Sequence, residues 1–206
     1  MSSKIIIVDC GMGNLFSVKK KFKGLDYDII ISSDPADIFK ADKIVLPGVG
    51  HFSKAIENIK QLNLFDALNE NVLIKKKPIL GICLGMQLMA KSSEEGNAQG
   101  LGWFDAEVVR FKVSDKFKYK IPHMGWNQIE NTKESLLMKD IPNGSEFYFI
   151  HSYHFKCNNE SDILNLTEYD YNFPSAVERD NIFGVQYHPE KSHDIGIKLL
   201  NNFIEF

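Results

Sequence analysis

The first half of the chain alternates short β-branched runs with amphipathic segments, and no other feature of the sequence limits its fold so strongly. Ile5-Ile6-Ile7-Val8 reads as a buried strand. After the turn Gly11-Met12-Gly13, the residues Leu15, Val18, Phe22 and Leu25 recur at helical spacing. Ile29 to Ile31 and Ile44 to Leu46 are further strands. Phe52, Ala55, Ile56, Ile59 and Leu62 mark a helix with one apolar face, and Phe65, Leu68 and Val72 continue the pattern. Pro78 to Ile82 is another apolar strand, and Leu84 to Lys91 reads as the helix that follows it. Because apolar strands alternate with helical segments, the pattern predicts a doubly wound α/β fold. Its sheet is mostly parallel and sandwiched by helices.

The second half is less regular. Trp103 to Lys112 and Tyr119 to Glu130 read as extended or hairpin segments, and Glu146 to Ile150 and Ile182 to Gln186 as strands. Ile197, Leu200, Phe203 and Ile204 close the chain with an amphipathic helix. These middle segments predict an antiparallel extension of the sheet. No repeat or linker-like stretch divides the 206 residues, so one domain over residues 1–206 is expected.

Composition narrows the function. A formal charge of −3 gives no basic face for nucleic acid, since Lys19 to Lys21 and Lys75 to Lys77 are short clusters at predicted helix ends. No apolar run approaches the ~20 residues of a membrane span, and Ile5 to Val8 is too short for a signal-peptide core, so a cytoplasmic protein is expected. Cys10, Cys83 and Cys157 are odd in number and contain no CxxC pair, which argues against disulfides and against a zinc site. One of them is left for chemistry.

Gly81-Ile82-Cys83-Leu84-Gly85 is a G-x-C-x-G between a predicted strand and a predicted helix, the pattern of a nucleophile elbow with sulfur in place of serine oxygen. A thiol there sits at a helix N-terminus, where the dipole and free N–H groups favour its reactive anion. His188-Pro189-Glu190 follows the last strand. In an extended segment, residues two apart project to one side, so the imidazole and the carboxylate can meet. A nucleophilic thiol needs such a base and a third group to orient it. Pro47-Gly48-Val49-Gly50 ends a strand and precedes a helix, so the backbone of Val49 and Gly50, with Leu84 after the nucleophile, suits an oxyanion hole. Taken singly, the three motifs also fit a packed small cysteine, a solvated turn and a chain reversal. Their combination is what points to catalysis.

Four segments occur in a telling order: Pro47-Gly48-Val49-Gly50-His51-Phe52, Gly81-Ile82-Cys83-Leu84-Gly85-Met86-Gln87, Pro122-His123-Met124-Gly125-Trp126-Asn127 and Gly184-Val185-Gln186-Tyr187-His188-Pro189-Glu190-Lys191-Ser192. Together they resemble the class I glutamine amidotransferases, and within them the glutaminase subunits of imidazole glycerol phosphate synthase, from Asp9 to the C-terminus. The third segment and Phe149-Ile150-His151-Ser152-Tyr153 are specific to that branch. The resemblance implies a flavodoxin-like fold and a triad of Cys83, His188 and Glu190 that releases ammonia from glutamine without cofactor or metal. It implies that Gly50, Gln87 and Glu95 line the glutamine pocket with Ser152 and Tyr153 nearby. It places Asn14, Trp126, Tyr148 and Lys191 against a (β/α)₈-barrel cyclase subunit that takes up the ammonia. The products there are imidazole glycerol phosphate, for histidine synthesis, and an aminoimidazole ribonucleotide. Cys10, where the family commonly has tyrosine, and Ala90-Lys91 depart from the pattern without touching the triad.

Two other readings stand beside this one. A paralogue would feed ammonia to another acceptor, such as an enzyme of amidino-sugar synthesis. A non-catalytic regulatory or redox-sensing protein of the same fold would need neither the intact triad nor Gln87 and the oxyanion glycines.

Overall fold

In a computed structural model, residues 3–22 and 27–206 are described. Leu25, placed on the first helix by its spacing, lies outside them. The first half forms β1 (Lys4–Val8), α1 (Leu15–Lys21), β2 (Asp28–Ser32), α2 (Pro35–Phe39), β3 (Lys43–Gly48), α3 (Phe52–Gln61), α4 (Leu64–Asn69), β4 (Ile79–Cys83) and α5 (Leu84–Gln87). The second half adds β5 (Ala90–Ser93), β6 (Ala98–Gln99), β7 (Phe104–Arg110), β8 (His123–Gln128), β9 (Glu130–Asn131), β10 (Glu146–His151), β11 (Tyr153–Cys157), β12 (Ile163–Tyr169), β13 (Tyr171–Arg179), β14 (Ile182–Val185) and α6 (His193–Glu205). Among the described residues no helix is long and apolar enough to cross a membrane.

The main sheet runs β2-β1-β3-β4-β14-β13-β12-β9. Its first five strands are parallel, in the flavodoxin-like order, and an antiparallel extension follows from β13, β12 and β9, not from Trp103 to Lys112 or Glu146 to Ile150, whose strands pair in two smaller sheets. Both faces of the parallel part are covered, which explains its unbroken apolar strands. In β1, Ile6 and Val8 pack with the side chains of α2, α3 and α4, while Ile5 and Ile7 pack with those of α1 and α6. Each such buried side chain contributes about 1.5–3 kcal/mol. The helices begin and end as local chemistry dictates. Asn14 caps α1 by accepting from the Ser17 N–H, Asp34 caps α2 ahead of Pro35, and Lys19, Lys20 and Lys21 crowd the last turn of α1, where the dipole favours cations.

Two smaller sheets lie on opposite faces. The four strands β11-β7-β5-β6 contribute Phe104, Ala106, Val108 and Phe155 to the cluster under α3 and α4. The pair β10-β8 contributes Phe147 and Phe149 to the opposite cluster. The chain passes from β10 to β11 through His151-Ser152-Tyr153, crossing from one face to the other. That crossing forms a wall of the site.

One further expectation needs correction. The helix anticipated from Leu84 to Lys91 ends at Gln87, and Ala90–Ser93 is a strand paired in parallel with β7. Leu84 to Ala90 are all buried, so the apolar run has no exposed face to betray a helical period, and pairing with β7 takes over its end. For Tyr119 to Glu130 the extended reading holds, as β8 pairs with β10, a distant segment, and not with itself.

Candidate active site

Cys83 is the last residue of β4 and the residue before α5, with φ 54° and ψ −111°. A non-glycine residue rarely adopts this conformation, and it is held here by surroundings that fix the strand and the helix on either side. Gly85 makes the elbow possible. A Cβ at that position would lie 1.7 Å from the Leu46 carbonyl oxygen, so only a glycine lets α5 press against β3. Register does the rest. Gly48 is opposite Cys83, and Val185 is opposite Ile82, so the turn after β3 and the residues after β14 flank the sulfur at the carboxyl edge of the sheet.

His188 Nδ1 lies 2.7 Å from Glu190 Oε1, with both side chains buried. The pair meets through a 3₁₀ turn over Pro189–Lys191 and not through an extended strand, which corrects the geometry behind the expectation. Because the carboxylate accepts from Nδ1–H, Nε2 is the nitrogen left for chemistry. Among the described residues His188 Nε2 and Glu190 Oε2 are buried without a hydrogen-bond partner. Burial is the largest single influence on His188 and favours neutral imidazole. The attraction of the Cys83 sulfur and of the Glu190 carboxylate together outweighs it and raises the imidazole well above its ordinary range. Cys10 and Cys157 sit in the opposite situation. Burial first, then the neighbouring Asp9 and Asp162, push their thiols up to about 11 and about 12.

Beside Cys83 opens a cavity of about 360 Å³ lined by Val49, Gly50, Leu84, Gln87, Glu95, Ser152, Tyr153 and Lys191, with Pro122, Ile150 and His151. The fold therefore gathers the residues expected for an oxyanion hole and a glutamine pocket around one sulfur. Two of them also have structural duties. Gln87 donates through Nε2 to the Tyr153 carbonyl at 3.0 Å and to Gln186 Oε1 at 2.9 Å. Glu95 Oε2 accepts from the Phe52 N–H at 2.8 Å and caps α3, whose N-cap residue His51 makes no side-chain cap. No cluster of His, Cys, Asp or Glu suited to a metal occurs among the described residues.

Of the partner-facing candidates, Lys191 lines the cavity, whereas Asn14, Trp126 and Tyr148 do not. Asn14 is exposed at the start of α1. Trp126 and Tyr148 are cross-strand partners in β8 and β10, with ring centroids 6.1 Å apart, and Trp126 remains 46% exposed. Lys191 Nζ lies 5.5 Å over the Tyr148 ring. Tyr148 is joined to the histidine more directly than sequence spacing indicated: its carbonyl accepts from His188 N–H at 2.9 Å, and its N–H donates to Ser192 Oγ, which itself donates to the His188 carbonyl.

Sequence reading missed Ser192, Gln186 and a buried histidine pair. His151 Nδ1 faces the Tyr153 carbonyl at 2.8 Å and must carry a proton, so its Nε2 accepts from His123 Nδ1 at 3.0 Å, and His123 Nε2 accepts from Asn127 Nδ2. Cross-strand pairing of His123 with His151 places them, and no local pattern announces it. Burial pushes His123 down to about 4 and holds His151 well below the ordinary histidine range. The folded chain thus binds fewer protons than the unfolded chain, where histidines titrate near ~6.5, and stability falls as the pH drops from there towards the folded values. His123 alone is expected to cost about 3 kcal/mol by the acid end of that window. Urea unfolding of the wild type and of His123→Phe between neutral and acid pH checks this. A wild-type acid slope no steeper than that of the variant refutes it.

A strained elbow cysteine, an imidazole oriented by a carboxylate and a small polar cavity form a site suited to acyl transfer through sulfur. Residues 6–206 match the family model described as glutamine amidotransferase class-I. A glutamine amidotransferase of Thermotoga maritima has the same fold, with a TM-score of 0.68 and 18% identity, covering 100% of this chain and 82% of that one. The chain belongs to the class I glutamine amidotransferase family. Within it, the chain groups with the HisH subunits of imidazole glycerol phosphate synthase. It is 50% identical to subunit HisH 2 of Methanococcus maripaludis over 98% of both chains, and 46% identical to subunit HisH 1 of Campylobacter jejuni over 97% of this chain and 98% of that one.

Proposed function

We propose that the chain, as one amidotransferase domain over residues 1–206, is the glutaminase subunit of an imidazole glycerol phosphate synthase. It would act in the cytoplasm and deliver ammonia to a (β/α)₈-barrel cyclase subunit. The observation that carries the reading is Cys83, at its positive φ, on a cavity lined by Gln87, Glu95, Ser152 and Tyr153, with the imidazole of the 2.7 Å His188–Glu190 pair drawn to its sulfur. Cys83 sulfur attacks the side-chain amide carbon of glutamine, and backbone N–H groups of Leu84 and of the Val49-Gly50 turn hold the oxyanion. His188, charged by its raised affinity for protons, protonates the departing ammonia through Nε2. It then takes a proton from the water that hydrolyses the γ-glutamyl thioester, while Glu190 holds its orientation. Glutamate leaves, and ammonia passes to the partner without meeting bulk water. Free thiols at Cys10, Cys83 and Cys157 suit a reducing compartment.

A second reading, a paralogue serving another ammonia acceptor, is favoured by one observation. Methanococcus maripaludis has two subunits named HisH, 50% and 43% identical to this chain. Co-purification from the native cell distinguishes the two: a barrel cyclase supports the first reading, and a different synthase supports the second.

Tyr148 links the partner face to the site, because its backbone bonds to both His188 and Ser192. The chain alone is therefore expected to hydrolyse glutamine slowly, and partner with acceptor ligand to activate it several hundred-fold, or ~3–4 kcal/mol, about the value of one oxyanion donor. Gly50, at φ 114°, can rearrange at little steric cost. Glutamine turnover by the chain alone, with partner, and with partner and acceptor tests this for the wild type, Tyr148→Ala and Lys191→Ala. Full activity without a partner refutes the gating, and unaltered stimulation in both variants shows that these side chains do not transmit it.

A further inference from the structure

Gln186 lies two residues before His188 and is completely buried. The parallel register of β14 with β4, with Val185 opposite Ile82, brings it beside Cys83, and its Nε2 is 3.6 Å from the sulfur. Which end of this amide faces the sulfur follows from its neighbours. The Tyr153 carbonyl can only accept, so the group of Gln87 that faces it at 3.0 Å is the NH₂. The second N–H of that NH₂ meets Gln186 at 2.9 Å and requires an acceptor there, which fixes Oε1 of Gln186 towards Gln87 and its NH₂ towards Cys83. The Tyr153 carbonyl is in turn held by the His151 Nδ1–H. Across the sulfur, the Ile150 carbonyl at 4.0 Å can serve only a protonated thiol. The Gln186 N–H can serve only the sulfur as acceptor.

We infer that Gln186 is a positioning residue for the nucleophile: its amide, locked by Gln87 and the Tyr153 carbonyl, donates to Cys83 Sγ and holds the sulfur aimed into the cavity. The inference rests on the reading of Cys83 as the nucleophile. Hydrogen bonds to charged groups are stronger than neutral ones, and a donor fixed in place before reaction needs no reorganisation when the sulfur attacks.

Two full-length variants test it. Gln186→Met removes the donor at similar length. Gln186→Glu keeps an acceptor for Gln87 but offers the sulfur a proton only while its own carboxyl is protonated. In Gln186→Met, alkylation of Cys83 by iodoacetamide at neutral pH is expected to slow about tenfold, with the deficit closing at alkaline pH, where any thiol ionises. With the partner present, kcat for glutamine is expected to fall about tenfold and KM to stay within about twofold, the loss expected of one hydrogen bond to a charged group. In Gln186→Glu, kcat and alkylation relative to wild type are expected to be highest at acid pH and to fall as the carboxyl ionises, the alkylation deficit closing again at alkaline pH. A merely structural glutamine would give no such fall in the ratio. Thermal melting establishes that each variant is folded, and where Gln186→Met is not, the fall of the Gln186→Glu rates relative to wild type decides. Alkylation and kcat within about twofold of wild type at all pH values, in folded variants, overturn the inference. A wild type that fails to turn over glutamine with its partner sinks the functional reading instead, because the alkylation comparison needs neither glutamine nor partner.

Discussion

Replacing Cys83 by alanine is expected to lower glutamine-dependent synthesis by roughly 10⁴–10⁶, the scale of losing a triad nucleophile. Synthesis supplied with ammonium salts should be unchanged, because the acceptor site proposed for this complex lies on the other subunit. The size of the effect follows from the environments of the three thiols. Cys83 is at the elbow, beside the His188–Glu190 pair and the cavity. Cys10 and Cys157 are held protonated by burial and by nearby aspartates, so neither can take over. A diazo-ketone analogue of glutamine should accordingly label Cys83 alone. Peptide mapping that placed the label on Cys157, or loss of the ammonia-dependent reaction in the alanine variant, would remove Cys83 from the mechanism.

His188→Asn is expected to reduce glutamine hydrolysis by ~10²–10⁴, the usual contribution of a positioned acid and base. Asparagine keeps much of the volume and can still accept or donate a hydrogen bond near Glu190, but it cannot carry a proton to ammonia. The attraction of Cys83 and Glu190 outweighs burial and keeps the wild-type imidazole charged through neutral pH. Folding stability from this pair is then fully present below the ordinary histidine range near ~6.5 and is lost as pH rises through the elevated titration of His188. The variant should therefore lose that alkaline dependence of stability, retain a cooperative melt and bind its partner as the wild type does. Failure to bind, or a broad melt, would make the histidine structural.

The motifs were legible because each compresses a physical requirement into neighbouring residues. The elbow needs a bare backbone at Gly85 against β3, and a carboxylate two residues from a histidine orients it in either an extended or a turned backbone, so the His188–Glu190 pairing survived an error about local geometry. The parallel half of the sheet was equally legible, since strands covered on both faces must be apolar throughout. The Leu84 to Lys91 segment was not, because complete burial erases the periodicity that separates helix from strand.

The sequence by itself marked the parallel strands of the first half and the helices α1 and α3, though not α2, and singled out Cys83, His188 and Glu190 as the candidate triad. Tertiary structure alone decided that Gln186 stands beside Cys83, that His123 bonds to His151, and that Tyr148 bonds through its backbone to His188 and Ser192. These pairs are joined by strand register and by carbonyls that can only accept. Register is a relation between segments far apart in the chain, and a hydrogen-bond direction depends on every partner at once, so neither leaves a mark on the residues next to it in sequence.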